Sequence, residues 1–122
     1  MQDSLTKFQI REVDSTSLVL TCHGGLSWED RELLAGEVQR YLEPRSSITG
    51  LVLDMAKVEF VNSAGLGAIF SLRKHAQSGG SKLVLARPSP AIRRLLETVN
   101  VQALMPIADD LDEARRLAEK SD

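Results

Sequence analysis

Apolar and polar positions change period several times along this chain, and each change marks an element. FQIREV, from Phe8, alternates apolar and polar residues, and the turn cluster Asp14–Ser17 leads into LVLTCHG, so residues 8–13 and 17–23 are expected to form a β-hairpin. From Ser27 the period becomes helical: Trp28, Leu33, Leu34, Val38, Tyr41 and Leu42 recur at helix spacing, with Ser27 as N-cap and Pro44 just past the end. GLVLDM, residues 50–55, is a nearly unbroken apolar run ending in Asp54, which predicts a central strand buried on both faces. A helix over about residues 63–77 stops at Ser78-Gly79-Gly80, where glycine supplies a left-handed C-cap. KLVLA, residues 82–86, reads as a second buried strand. Pro88 to Pro90 link it to AIRRLLETVN, a short helix with Ile92, Leu95, Leu96 and Val99 on one side. Val101 to Ile107 include a last short strand, and Asp109-Asp110 cap a terminal helix whose final residues should fray.

The order ββαβαβα(β)α predicts an α/β fold: a mostly parallel mixed sheet with an N-terminal antiparallel β-hairpin and helices packed upon it. With 122 residues and no repeat, low-complexity tract or linker, residues 1–122 are expected to be one domain, its core spanning about 6–118.

Charge and composition narrow the function. Fifteen basic against seventeen acidic residues give a formal charge of −2, which argues against the positive field needed for nonspecific nucleic-acid binding. Arg87, Arg93 and Arg94 come close together in sequence, but a solvated helix face accounts for the last two. Cys22 is the one cysteine and lies in an apolar run, as a buried small hydrophobe does. No apolar run approaches the roughly 18 residues of a membrane span, and MQDSLTKFQIREVD lacks a signal-peptide core, so the expected location is the cytoplasm.

The richest segment is VEFVNSAGLGAIF, Val58 to Phe70, which brings an apolar strand or turn onto a serine at a helix start. Asn62 is a good N-cap; Ser63 and Ala64 open the helix, and Gly65 and Gly67 keep its first turn nearly bare. A hydroxyl beside unpaired backbone N–H groups tolerates an added phosphate, so Ser63 is a candidate switch; the plain alternative is a capping residue in a tight turn. A nucleophile elbow, G-x-S-x-G, fails because Val61 occupies its first glycine position. His23 ends a predicted strand, and His75 falls about three turns along the serine-led helix, so neither serves as its base. No phosphate-loop motif is present, and one cysteine with two distant histidines makes no metal cluster; no cofactor and no metal are implied. At about 100° per residue, Gly65, Ala68, Ile69, Leu72 and Ala76 form the core face, with Leu66 and Phe70 beside it. Those two are either covered by a neighbouring helix or exposed as an apolar docking patch.

LVLDMAKVEFVNSAGLGAIFSLRKHAQSGGSKLVLARPSPAIRRLLETVNV resembles the STAS domain of bacterial anti-sigma-factor antagonists, and the likeness spans nearly the whole chain. VLTCHGGL resembles the family's early strand and turn, Asp54 its strand-end aspartate, and NSAGLG its phosphoserine loop. The resemblance implies a non-enzymatic binding module whose unphosphorylated form captures an anti-sigma factor with serine kinase activity, releasing a sigma factor. It implies Ser63 as phosphate acceptor, a separate serine phosphatase, and Asn62, Ser63, Ala64, Gly65, Leu66, Gly67 and Phe70 as the partner-binding loop, with Asp54 supporting it. Asn62 stands where the family usually has aspartate, which keeps the cap but removes a charge, and Ala64 leaves Ser63 the only hydroxyl of the loop. The second reading is an accessory STAS subunit of a lipid-trafficking ATP-binding-cassette transport complex, docking without phosphorylation.

Overall fold

The computed structural model describes residues 7–42 and 47–119. Strands β1 (Phe8–Asp14), β2 (Ser17–Cys22), β4 (Gly50–Asp54), β6 (Lys82–Ala86) and β7 (Ile107–Ala108) form one sheet in the order β1-β2-β4-β6-β7. β1 and β2 are the antiparallel hairpin, running from Phe8↔Cys22 to Asp14↔Ser17, and the remaining pairs are parallel. The hairpin turn is fixed by Asp14, whose Oδ1 accepts from the Thr16 amide at 2.8 Å and the Thr16 hydroxyl at 3.1 Å.

The three middle strands are buried on both faces, and their alternation sorts side chains by size. Leu18, Leu20, Leu51, Leu53, Leu83 and Leu85 face a large core shared with helices α1 (Asp30–Leu42) and α2 (Ser63–Ser78). Val19, Val52 and Val84 face a smaller core closed by Ala114 and Ala118 of helix α4 (Leu111–Glu119). Small side chains let α4 lie close: a Cβ on Gly50 would stand 2.7 Å from the Ala118 Cβ. Period-two burial of large and medium aliphatics thus builds the helix–sheet–helix layers.

Helix ends follow the local chemistry. α2 stops in a Schellman motif: Gly80 has φ +83°, the Ser81 amide donates to the Ala76 carbonyl at 2.8 Å, and the Gly80 amide to that of Gln77 at 3.0 Å. Helix α3 (Pro90–Thr98) begins at Ser89, whose hydroxyl accepts from the Ile92 amide, and ends before Asn100 at φ +62°. The Asp110 carboxylate accepts from the Glu113 amide at 2.8 Å while that of Glu113 accepts from the Asp109 amide at 2.9 Å, so α4 starts in reciprocal caps.

Three sequence expectations need correction. α1 begins at Asp30, not directly after Ser27, because Ser27–Arg31 wind through i→i+3 bonds from the Asp30 amide to the Ser27 carbonyl and from the Arg31 amide to that of Trp28. Trp28 therefore lies outside the helix and is 46% exposed, and Leu33 on the helix is also exposed. Val99 follows the end of α3 and is exposed, leaving Ile92 and Leu96 as its buried residues. A second, two-stranded parallel sheet of β3 (Gly24–Leu26) and β5 (Val58–Val61) lies where only one apolar strand or turn was expected. Pro44, expected just past α1, and the fraying end of α4 fall outside the described residues.

Candidate functional site

The small β3–β5 sheet delivers the chain onto Ser63. Val61 pairs with Leu26 at its end, Asn62 follows in extended backbone (φ −95°, ψ 179°), and α2 opens at Ser63. The Asn62 Oδ1 accepts from the Gly65 amide at 2.7 Å, and its carbonyl from the Leu66 amide at 3.0 Å. One cap thus serves the third helical position, while the amides of Ser63 and Ala64 stand before the intrahelical ladder begins. Asn62, Ser63 and Ala64 are all exposed. The first turn of α2 carries no acidic residue, so its positive pole is not neutralised within the helix.

The two glycines are not bare, as expected from sequence, but are covered. A Cβ on Gly65 would lie 2.1 Å from the Leu26 carbonyl oxygen, so the backbone of β3 passes directly against the helix. A Cβ on Gly67 would lie 2.7 Å from Cζ3 of Trp28, whose indole also carries the Arg31 guanidinium 4.2 Å from its centroid. Phe60 repeats the device on the other strand, with its ring packed on Gly25. Glycine here permits close approach, and the approach clamps the turn that presents Ser63.

Leu66 and Phe70 take the covered alternative. Leu66 is 8% exposed, and Phe70 is partly buried against the main core. The exposed apolar side chains that belong to this clamp are Trp28 and Phe60, at 46% and 56%. Sequence periodicity placed Trp28 on a helix and gave Phe60 no role.

Asp54 lies at the end of β4, almost wholly buried, and accepts from Arg87 twice: Nε at 3.0 Å and Nη2 at 2.7 Å. The Ala56 amide donates to it as well, at 3.2 Å. Arg87, just beyond β6, holds a left-handed φ of +59°, a conformation a non-glycine residue adopts only when its surroundings impose it. The Asp54 carboxylate holds its guanidinium more firmly protonated than usual. Arg87 is therefore a strut between neighbouring strand ends. Arg93 is paired too, with Asp109 and Glu97, while Arg94 is exposed.

His75 is exposed on α2, about 18 Å along the helix axis from Ser63 at 1.5 Å per residue. His23 ends the hairpin beside β3, its Nε2 buried. Neither stands as a base beside the hydroxyl. Among the described residues no group of three or more histidine, cysteine or carboxylate side chains could hold a metal ion, and no helix is long and apolar enough to cross a membrane.

Comparison with known proteins agrees with this architecture. Residues 7–114 match the STAS domain family. An anti-sigma F factor antagonist from Paenibacillus polymyxa is 24% identical over 93 residues, covering 76% of this chain and 79% of the relative. Three solved structures share the fold. An anti-sigma factor antagonist from Mycobacterium paratuberculosis has TM-score 0.75 at 19% identity, with 93% of each chain covered. The Bacillus cell fate determinant SpoIIAA in its phosphorylated form has TM-score 0.64 at 18% identity, covering 89% of this chain and 97% of that one. A sulfate transporter family protein from Wolinella succinogenes has TM-score 0.73 at 18% identity, with 90% and 93% covered. From its first hairpin strand to the middle of α4, this chain belongs to the STAS domain family.

Proposed function

We propose that this single-domain chain is a cytoplasmic anti-sigma-factor antagonist that switches partners through Ser63. Unphosphorylated, it binds an anti-sigma factor that is also a serine kinase; phosphorylated at Ser63, it lets that partner go, and a serine phosphatase resets it. The chain is a substrate and a binding module, not a catalyst. The observation that carries this reading is an exposed hydroxyl at the first position of a capped helix whose opening turn is clamped from both sides. A phosphate there adds about −1.5 to −2 charges beside the helix's positive pole, which stabilises them by roughly 0.3–2 kcal/mol. The fold keeps its shape, and the new charge acts on the partner, where a loss of about 2.8 kcal/mol lowers affinity a hundredfold.

Asn62, Ser63 and Ala64 form the contact surface, with Trp28 and Phe60 as its exposed apolar flanks. Gly65, Leu66, Gly67 and Phe70 support it from beneath, and Asp54 braces the strand end that precedes the loop. The names of the Paenibacillus and Mycobacterium proteins support the antagonist role, and the phosphorylated SpoIIAA supports the covalent switch. Affinity capture with wild-type protein and Ser63→Asp, followed by mass spectrometry of bound proteins and of residue 63, tests this directly. A kinase-like partner bound by wild type and lost from the variant is expected. Equal capture by both, of permease or ATPase subunits, would assign the chain instead to a transport complex that docks without phosphorylation, a reading favoured by Asn62 in place of aspartate.

A further inference from the structure

The aromatic contact that covers Gly67 also brings a cation to the switch. β3 and β5 run parallel with Leu26 paired to Val61, so the chain leaves both strands at one edge: one branch winds through Ser27–Arg31 into α1, and the other opens α2 at Ser63. Gly65 lies against the Leu26 carbonyl, which fixes the first turn of α2 beside the entry to α1. Ser63 and Gly67 are four residues apart and share a face of α2, about 6 Å apart along its axis. Cζ3 and Cε3 of Trp28 meet Gly67, and the Arg31 guanidinium lies 4.2 Å from the centroid of the same indole. Ring and cation therefore stand beside the turn that carries the hydroxyl.

Arg31 is weakly engaged where it lies. Its Nε is buried without a hydrogen-bond partner, and its carboxylate contact among the described residues is Glu32 at 3.7 Å, beyond hydrogen-bond reach, with the Glu32 side chain 85% exposed. The other charges at the entry to α1 are already engaged. Asp30 accepts from Lys7 at 3.0 Å and from the Ser27 amide at 2.8 Å, and Glu29 accepts from the Ser27 hydroxyl at 3.1 Å. Arg73, on α2 itself, lies about 15 Å along the axis from Ser63, with its Nε donating to the Leu104 carbonyl.

We propose that Arg31 is the intramolecular counter-ion of phosphorylated Ser63. The guanidinium swings off the Trp28 ring and presents its planar fork to two phosphate oxygens, a stronger pairing than a ring face or a long contact with an exposed carboxylate. This role rests on Ser63 as the phosphate acceptor and adds a second consequence to it: phosphorylation strips the cation from Trp28, an apolar flank of the contact surface, so charge and shape change together.

Phosphoserine encoded at position 63 of the full chain supplies the test, because the phosphate is then present whether or not a kinase acts on this serine. Phosphorus NMR from about pH 4 to pH 8 reads its second ionisation. Arg31→Gln should lower the acid dissociation constant of the phosphate about fivefold, Arg31→Lys should restore most of it, and Arg73→Gln should leave it unchanged. The emission of Trp28, the only tryptophan, should change on phosphorylation of the wild-type chain and not of Arg31→Gln. Equal titration in wild type and Arg31→Gln, an equal effect of Arg73→Gln, or a Trp28 emission indifferent to the phosphate would each overturn the role of Arg31, and would leave the outcome of partner capture untouched.

Discussion

The indole of Trp28 rests on Gly67, four residues beyond Ser63, so that residue 67 has no room for a methyl group unless the ring moves. Gly65 meets the Leu26 backbone in the same way, but there the obstacle is a carbonyl oxygen that cannot swing aside. The two glycines therefore predict different outcomes. Gly65→Ala should destabilise the fold by about 3 kcal/mol, since strand and helix must separate. Gly67→Ala should change stability by no more than about 1 kcal/mol, because the gain in helix propensity offsets displacement of a half-exposed ring. Trp28 is the only tryptophan, so its fluorescence emission should shift to the red in Gly67→Ala. Denaturation curves and emission spectra of both variants check the contrast.

Asn62 acts through its side-chain oxygen, 2.7 Å from the Gly65 amide. Asn62→Ala should cost about 1 kcal/mol. Asn62→Asp retains the acceptor and adds a charge at the helix start, so it should hold or raise stability, by about 0.3–1 kcal/mol at low salt. Ser63→Asp should leave the melting temperature within a few degrees for the same electrostatic reason. Thermal melts at two salt concentrations separate cap from charge; unfolding of Ser63→Asp would contradict a switch that leaves the scaffold intact.

Much of the fold was legible because it obeys local rules. The hairpin, the buried strands at 50–55 and 82–86 and the serine-led helix followed from period, turn residues and caps, and each lies within a residue or two of its expected bounds. The start of α1 was misread because Trp28 fits a helical stripe in sequence, while i→i+3 bonds and the Asp30 carboxylate, held by Lys7 at 3.0 Å and the Ser27 amide at 2.8 Å, set the boundary later. The pairing of β3 with β5 joins residues more than thirty apart, and no window along the chain reports it. Ser63 and its cap could be read locally, but the clamp on Gly65 and Gly67 is tertiary and could not.

Burial decides between the two alternatives for Leu66 and Phe70 in favour of the covered one. Leu66→Ala should destabilise by about 2–5 kcal/mol, as for a core leucine, and Phe70→Ala by somewhat less because its ring is only partly buried. Phe60→Ala removes a ring that is 56% exposed and should stay within about 1 kcal/mol of wild type. Chemical denaturation of the three variants ranks them, and a Phe60→Ala loss as large as that of Leu66→Ala would contradict the placement of Phe60 at the surface.

The Asp54–Arg87 pair joins a nearly buried carboxylate to a partly exposed guanidinium. Removing the cation leaves the anion in place without its two charged donors, and among the described residues only the Ala56 amide still donates to it. Arg87→Ala should therefore cost about 2–4 kcal/mol, toward the lower end because water reaches the vacated side. Asp54→Asn with Arg87→Ala should recover part of that loss, since no uncompensated charge remains. A double-mutant cycle measures the coupling, and strictly additive losses would show that the pair does not act as a unit.

Cys22 lies fully buried in the hairpin strand, and burial pushes its thiol up to about 11. At pH 8 the folded protein then holds roughly a thousandth of the thiol as reactive thiolate, with no path for a reagent to reach it. Labelling by a disulfide reagent should be slow in the native protein, fast in denaturant, and should track the opening equilibrium as stability is varied. The sign of the pH effect follows from the same shift. An unfolded thiol ionises near 9 while the folded one stays protonated to about 11, so this group's contribution is fully present below pH 9 and is lost as pH rises toward 11. Cys22→Ala removes that dependence, and the difference between wild-type and variant stabilities, measured from pH 7 to 11, should narrow at the alkaline end if the variant starts less stable. A difference that stays constant across that range, or rapid native-state labelling at pH 8, would place the thiol in contact with solvent instead of within the core.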